Sequence, residues 1–432
     1  MRSMPFLIAA CLFAAFAAPL AQAQNGPNPE ICAADDSSSY SPEQRIAACT
    51  ALIDSSEERP VHRAVALVNR GSAYWYIDKM KLAFADLDRA IALDPNNARA
   101  FRERSVAFRS AGRLDRAIAD ANEAIRLDPN GAQAFDVRGN AFNNNRQYDR
   151  AIEDYNEAIR LDSKFAQAWR DRGVAHYFKK DYANAIKDYD EAIKLEPTNS
   201  RVFTNRGAAY KKMGRNDRAI ADESEAIRLD PRRPEYFDNR GLSYAANADY
   251  DRAIADYNEA IRILPQANFL TNRGDAYNLK GDFDRAIADY DRALQLNPGF
   301  YLAYNNRGAA FRRKGDLDRA IADYEQVIRI NPQMDTAAEN LAALRQERDR
   351  RGSLTERLGP TFSCKTAKRA VEKAICSDPD LARLDRKTLE SLRDDQREFI
   401  GARNKSFGRA DYNLRRAMEQ RLFALRGLIA NN

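Results

Sequence analysis

A period of 34 residues is the feature of this sequence that most restricts its fold. An Arg-Gly pair recurs at this period, and Arg104-Ser105 replaces it in one repeat. A proline recurs at the same period, except that Ser163 replaces it once and one step, before Pro298, is 33 residues long. Self-similarity at such a period is the signature of a repeat architecture. The spacing gives eight repeats, which are 64–97, 98–131, 132–165, 166–199, 200–233, 234–266, 267–300 and 301–334.

Each repeat has the pattern of two helices. In residues 166–197, Trp169, Gly173 and Tyr177 share one helical face, and a second helical period follows from Tyr182 to Ile193. Pro197 ends the second helix, because proline lacks an N–H donor and restricts the residue before it. A single helical hairpin cannot bury its apolar face, so neighbouring repeats have to stack.

Small residues mark where the two helices of a repeat approach each other. Gly173 is expected to face Ala185, and this alanine position is filled in every repeat. Small side chains let helix axes come close together. The alanines are Ala83, Ala117, Ala151, Ala185, Ala219, Ala253, Ala286 and Ala320.

These aromatic, Gly, Ala and Pro positions resemble the tetratricopeptide repeat (TPR). The resemblance implies an all-α fold, a right-handed TPR solenoid of eight helical hairpins that binds protein partners. The seventh position departs from the family: leucine is usual there, whereas every repeat of this chain has arginine, as in Asn205-Arg206-Gly207.

The arginine series has a matching series of aspartates in the second helices. We predict ion pairs between them, because the arginine fork matches a carboxylate with two hydrogen bonds. The alternative is two unrelated stripes of solvated charge. The aspartates are Asp86, Asp120, Asp154, Asp188, Asp222, Asp256, Asp289 and Asp323.

The N-terminal residues indicate export. Residues 1–23 have a basic start at Arg2, an apolar stretch and the small-residue cleavage pattern Ala21-Gln22-Ala23, so we expect a cleaved signal peptide and a periplasmic or secreted protein without a membrane span. Lipid anchoring through Cys11 is the alternative. Residues 24–63 are predicted to be a capping segment, with a helix that resembles the second half of a repeat.

Four cysteines remain after residue 23, and three pairings are possible. We favour Cys32–Cys49 and Cys364–Cys376, because the four residues form two local pairs and exported proteins retain disulfides. Buried free thiols are the alternative.

The C-terminal part leaves the 34-residue period. Residues 335–359 are expected to form a capping helix and a charged linker. Residues 360–432 resemble the LprI-type lysozyme-inhibitor domain in their Cys-x11-Cys spacing and the following Ser-Asp-Pro-x-Leu-Ala-x-Leu-Asp run, starting at Cys364. Lysozyme inhibition is thus an alternative function. The positive charge of this segment argues against it, because animal lysozymes are also basic and like charges slow association.

No motif indicates catalysis. The chain has only two histidines, His62 and His176, and no metalloprotease, Walker or dinucleotide-binding pattern. His176 occupies a position where other repeats have Tyr or Phe, so we interpret it as a packing residue, with a pH-sensitive site as the alternative. We therefore expect no enzyme, no cofactor and no metal.

The resemblance implies that the first helices line a binding groove. Nine basic and six acidic candidate residues give it a modest positive charge, and aromatic and asparagine side chains accompany them. We predict a monomer whose groove binds a protein or peptide partner and does not bind nucleic acid. We do not expect it to bind a chaperone tail, because the family's carboxylate-clamp pattern is missing. The groove candidates are Arg102, Arg109, Arg170, Tyr177, Phe178, Asn205, Lys211, Asn239, Asn272, Asn306 and Arg312.

Overall fold

The computed structural model describes residues 28–34, 40–55 and 59–358. The expected signal peptide, the Cys364–Cys376 pair and the predicted domain 360–432 lie outside these residues. The described residues form nineteen α-helices and no strand, as the sequence predicts. None of these helices combines the length and the apolar character that a membrane crossing requires.

The helices divide into two compact units, one ending at Leu229 and the other beginning at Asp230. The first unit contains α1 (Pro29–Ala33), α2 (Pro42–Asp54), α3 (Pro60–Tyr76), α4 (Met80–Leu93), α5 (Ala98–Ser110), α6 (Leu114–Leu127), α7 (Ala132–Asn144), α8 (Tyr148–Leu161), α9 (Ala166–Phe178), α10 (Tyr182–Leu195), α11 (Ser200–Lys212) and α12 (Asn216–Leu229). The second contains α13 (Pro234–Ala246), α14 (Tyr250–Ile263), α15 (Ala267–Leu279), α16 (Phe283–Leu296), α17 (Tyr301–Arg313), α18 (Leu317–Ile330) and α19 (Asp335–Leu358).

The two helices of each repeat are joined by the same tight turn. One residue of that turn has a positive φ in all eight repeats, and it is glycine in four of them, for example Gly112 and Gly281. Glycine tolerates this conformation best because it has no Cβ. The repeats thus share one connection even where the residue differs, as at Arg146 and Ala248.

The close contact inside a repeat joins a glycine to an aromatic ring. A Cβ built on Gly173 would lie 2.6 Å from a ring atom of Tyr189, which is the nearest contact, rather than at Ala185 as the sequence analysis expected. Tyr189 is fully buried against the first helix because glycine leaves room for its ring. In the second repeat, the larger Ser105 replaces the glycine and the smaller Ala121 replaces the tyrosine. The Ser105 hydroxyl donates to the Ala117 carbonyl at 2.7 Å.

The predicted Arg–Asp pairs are present in all eight repeats. Nitrogen–oxygen distances are 2.5–2.7 Å, and we call the series the Arg–Asp ladder. In the fifth repeat, Nε and Nη2 of Arg206 donate to the two carboxylate oxygens of Asp222 at 3.0 and 2.6 Å. Burial opposes the charge of Arg206, but the hydrogen bonds and charge of Asp222 outweigh it and raise the arginine pKa. The pairs are Arg70–Asp86, Arg104–Asp120, Arg138–Asp154, Arg172–Asp188, Arg206–Asp222, Arg240–Asp256, Arg273–Asp289 and Arg307–Asp323.

The third arginine nitrogen connects successive repeats. Nη1 of Arg206 donates to Asp190 in the second helix of the preceding repeat at 2.6 Å, and Nη1 of Arg307 donates to Asp291 at 2.5 Å. One guanidinium group therefore holds three helices together. Equivalent bonds join Arg104 to Asp88, Arg138 to Asn122, Arg172 to Asn156 and Arg273 to Asn258.

The N-terminal helices extend this arrangement. Nη1 of Arg70 donates to Thr50 of α2 at 2.9 Å, so α2 stands where a preceding second helix would be. The predicted disulfide between Cys32 and Cys49 joins α1 to α2, and both cysteines are buried.

At the other end, α19 packs on α18 through Ala337, Leu341 and Leu344, which are buried. This helix runs to Leu358, so it spans nearly all of residues 335–359, for which the sequence predicts a capping helix and a charged linker. The segment is rich in Arg and Glu, which favour helices, and Arg345 pairs with Glu325 of α18 at 2.8 Å.

Removing one carboxylate of the Arg–Asp ladder is expected to destabilise the fold strongly. Asp222→Ala leaves the half-buried Arg206 without its bidentate partner, which costs on the order of 3 kcal/mol in the free energy of unfolding. Denaturant unfolding measures this loss. The control is Glu225→Ala on the same helix, whose solvent-exposed pair with Arg228 contributes little to stability. Equal losses in both variants would show that the ladder does not stabilise the fold.

The disulfides make a second prediction. Non-reducing peptide mapping of the protein is expected to find Cys32 linked to Cys49 and Cys364 linked to Cys376. Replacing Cys32 and Cys49 by serine should lower the free energy of unfolding by about 3 kcal/mol, the entropy of a loop of this size. A link between the N-terminal and the C-terminal pair would contradict the capping role of α1 and α2.

Candidate functional site

Two of the predicted basic residues of the groove in the first unit are tied to neighbouring acids. Arg102 on α5 donates to Glu103 at 2.9 Å, and Arg170 on α9 donates to Asp171 at 2.8 Å. Arg109 at the end of α5 is half-buried, and its Nε is buried without a hydrogen-bond partner. These pairs leave the groove of this unit less positive than the count of basic residues indicates.

Two carboxylates lie close together between α7 and α9. The side-chain amide of Asn140 donates to Asp136 at 3.0 Å and to Asp171 at 3.2 Å, and Gln167 donates to the same Asp136 oxygen at 2.9 Å. Asp136 is 1% exposed, and its Oδ1 has no partner. Burial, together with the charge of Asp171, raises the pKa of Asp136 well above its ordinary value, although Arg170 opposes this. We call Asp136, Asn140, Gln167 and Asp171 the carboxylate centre.

The predicted aromatic residues form a cluster beside these helices. The ring of Phe178 stacks on that of Tyr148 with centroids 5.8 Å apart, and Tyr177 meets Phe178 and Tyr182 edge-on at 5.7 and 5.4 Å. Phe178 is nevertheless 54% exposed. The structure therefore places Tyr177 and Phe178 in one aromatic cluster and leaves one large apolar ring exposed to solvent.

In the fifth repeat, the predicted Asn205 and Lys211 are both half-buried on α11. Glu223 takes the position that is tyrosine in five other repeats, and it is 2% exposed. The Thr204 hydroxyl donates to its carboxylate at 3.2 Å. This repeat thus has a buried acid beside the first helix where its neighbours have a ring.

The predicted asparagines of the second unit connect neighbouring repeats. Asn272 donates to Asp238 and Asn306 donates to Asp275, both at 2.8 Å. Asp275 also accepts a hydrogen bond from the hydroxyl of Tyr290 at 2.6 Å. Burial raises the pKa of Asp275, and these two hydrogen bonds oppose the shift. The two amides therefore hold adjacent first helices together, and Asn239, which precedes them in the series, is half-buried on α13.

The last predicted residue, Arg312, belongs to a cleft in the second unit. The cleft has a volume of about 500 Å³ and is open to solvent. Arg312 approaches Glu347 of α19 at 3.7 Å. The lining residues are Ala309, Arg312, Arg313, Tyr324, Asn340 and Glu347.

The two histidines lie apart from these groups. The Nδ1 of His176 is buried without a hydrogen bond, 3.5 Å from the carboxylate of Asp181, and its Nε2 lies 3.9 Å from Asp188 of the ladder. His62 lies at the start of α3, within 2.8 Å of Arg59. Within the described ranges, no group of His, Cys, Asp and Glu side chains is placed to hold a metal ion.

Sequence reasoning missed the polar partners that complete these sites. Asn140 and Asp275 occupy one repeat position, where five other repeats have Ala, Val or Leu and the first has Ser72, and each contacts the tyrosine of its own second helix. A large polar residue at a mostly apolar position was the available signal. Glu223, at a position that is tyrosine in five other repeats, carried the same kind of signal. Gln167 and Asn340 gave none, because polar residues at their positions are also typical of a solvated surface.

The comparisons with known proteins agree on one type of repeat. Family models described as Tetratricopeptide repeat match residues 68–132, 137–200 and 271–335, residues 188–221 and residues 234–267. No curated protein matches the sequence significantly.

Solved structures with similar chains have low sequence identity. The APC/C hetero-tetramer Cut9-Hcn1 contains a chain that is 16% identical with a TM-score of 0.49; the match covers 70% of this chain and 59% of that one. A tetratricopeptide repeat protein from Parabacteroides merdae is 18% identical with a TM-score of 0.47, over 57% of this chain and 98% of that one. YrrB, described as a TPR protein with an unusual peptide-binding site, is 23% identical with a TM-score of 0.37, over 42% and 95%.

The carboxylate centre predicts a stabilising substitution. Because burial and Asp171 raise the pKa of Asp136, its charged form is penalised in the folded state at neutral pH. Asp136→Asn should therefore raise the melting temperature at pH 7. The gain should shrink as the pH falls through the folded-state pKa of Asp136, where the native carboxyl becomes neutral as well.

Thermal melts from pH 4 to pH 8 measure this difference. Asp115→Asn, at an exposed carboxylate of α6, is the control and should change the melting temperature little at any of these pH values. A loss of stability in Asp136→Asn at pH 7 would show that the ionised carboxylate is needed in the fold.

Proposed function

Because this chain belongs to the tetratricopeptide-repeat family, whose models match more than half of its residues, we propose that it binds an extended peptide segment of a protein partner along its first helices. The repeats indicate a scaffold for protein–protein interaction. Such a scaffold is generally non-catalytic, and we propose no reaction for it.

One observation carries this proposal. Buried polar atoms without a hydrogen bond are rare in proteins, yet several lie on the first helices. They include Nε of Arg109 and Oδ1 of Asn143 in the first unit and Oδ1 of Asn278 in the second, all at the same repeat position. An extended peptide carries alternating N–H and C=O groups, which match this mixture of donors and acceptors.

The charges of the groove favour a neutral to acidic segment. Arg102 and Arg170 are partly neutralised by Glu103 and Asp171, so their attraction for an acidic ligand is moderate. The exposed ring of Phe178 offers a contact for an apolar side chain of the segment. Binding should weaken as salt rises, because exposed charges are screened over about 8 Å at physiological ionic strength.

We also propose that the protein acts in the periplasm or outside the cell, as a monomer. The pattern of residues 1–23 supports export, and the Cys32–Cys49 disulfide fits an oxidising compartment. The partner would then be an envelope or secreted protein. Lysozyme inhibition by residues 360–432 remains the alternative that the experiment below distinguishes.

The test uses capture from an envelope extract with the purified protein, followed by an affinity measurement on the partner. A groove variant, Arg102→Gln with Phe178→Ala, should weaken binding about tenfold or more, because it removes a charge and the exposed ring. The matched control, Lys187→Gln with Leu195→Ala, makes similar changes at exposed positions of the second helix α10 and should bind like the native protein.

Circular dichroism melts verify that both variants remain folded. If the groove variant binds the captured partner as tightly as the native protein does, the groove proposal is wrong. If the native protein also inhibits an animal lysozyme in a cell-wall lysis assay, the C-terminal segment is its binding part.

A further inference from the structure

The cleft at the last repeat has a distinct origin in the sequence. In the third and seventh repeats, the tyrosine of the second helix donates its hydroxyl to a polar residue of the first helix: Tyr155 to Asn140 at 3.2 Å and Tyr290 to Asp275 at 2.6 Å. In the eighth repeat, the corresponding residue is Ala309. The small alanine leaves space there and removes the acceptor for Tyr324, whose ring is buried and which lines the cleft.

Hydrogen-bond donors converge on this space from three helices. Arg312 and Arg313 come from α17, Tyr324 from α18 and Asn340 from α19. Both arginines are exposed at their ends, so their guanidinium groups can turn toward a ligand. Burial raises the pKa of the Tyr324 hydroxyl and the nearby charge of Arg312 lowers it, so the phenol keeps its proton at neutral pH and can donate it in a hydrogen bond.

A single negative charge faces these donors. Glu347 is the one acid that lines the cleft, and its carboxylate lies 3.7 Å from the guanidinium group of Arg312. Two arginines against one glutamate leave an excess of positive charge. The carboxylate of Glu347 also shows which kind of group suits these donors.

We propose that this cleft binds an oxyanion, a carboxylate or phosphate group, between Arg312, Arg313 and the hydroxyl of Tyr324. Guanidinium groups bind both kinds of oxyanion with paired hydrogen bonds, and such charge-assisted bonds are the stronger ones. The volume of about 500 Å³ holds more than the anion alone, so the group would be carried on a small molecule or on a side chain of a peptide. In the second case this inference rests on the proposed function and adds, within the second unit, a binding site for an acidic side chain of the peptide.

The test is a calorimetric titration of the purified full-length protein at low salt. The probes are inorganic phosphate, succinate, and an acetylated peptide amide that contains one Glu, compared with the same peptide containing Gln. The Glu peptide or one of the small anions should bind, and the Gln peptide at least tenfold more weakly than the Glu peptide. Binding of phosphate or succinate alone would identify a free anion as the ligand, and binding of the Glu peptide would identify a peptide.

Variants decide whether the binding belongs to the cleft. Arg312→Gln with Arg313→Gln should weaken binding at least tenfold, and Tyr324→Phe should weaken it several-fold, because each removes donors to the anion. Glu347→Gln should strengthen binding, because it removes the competing carboxylate. The matched control, Arg292→Gln with Arg329→Gln, removes the same charge from exposed positions of α16 and α18 that do not line the cleft.

The proposal is overturned if none of the anionic probes binds, or if the control loses as much affinity as the arginine pair of the cleft. In the second case the anion responds to the charge of the whole unit. Neither result affects the groove proposal, whose variants lie in the first unit and are measured on the captured protein partner.

Discussion

The guanidinium group of the ladder arginines is the part on which the rest of each unit depends. It gives two hydrogen bonds to the aspartate of its own repeat and a third to the preceding repeat, so a single side chain sets the angle among three helices, as Arg206 does with Asp222 and Asp190. Leucine, which the family usually has at this position, would fill the same volume without such directional bonds. The arginine therefore lacks the apolar burial that leucine would provide, but its directional bonds fix the relative positions of the three helices. The ion pair itself adds little net stability, because desolvation of the buried charges offsets their attraction.

Fixed register allows polar groups to be buried along the first helices. The amide bonds from Asn272 to Asp238 and from Asn306 to Asp275 each need their partner within hydrogen-bond distance across a repeat boundary. A small change in stacking would break these two bonds between repeats, and losing a hydrogen-bond partner is costly for a buried carboxylate. The ladder on one side of the first helix and the amide bonds on the other therefore support each other. Between them they determine which polar atoms remain available to a ligand.

Much of this fold could be predicted from the sequence, and less of the site. The period predicted the hairpins and the Arg–Asp pairs, since both depend on spacing alone. The partner of a groove residue depends instead on how two repeats stack. Asn272 was predicted as a groove residue, and its amide donates to Asp238 of the neighbouring repeat. Likewise, the cleft at Tyr324 follows from the alanine at position 309 together with the path of α19, which no spacing reveals.

The central claim is that the first helices form the binding surface, and hydrogen–deuterium exchange with and without the captured partner tests it most directly. The account predicts slower amide exchange on binding in the first helices, α5, α7, α9 and α11 in the first unit and α15 and α17 in the second. The second helices, which carry the aspartates of the ladder, should exchange at unchanged rates. Protection confined to the second helices, or to residues 360–432, would contradict it.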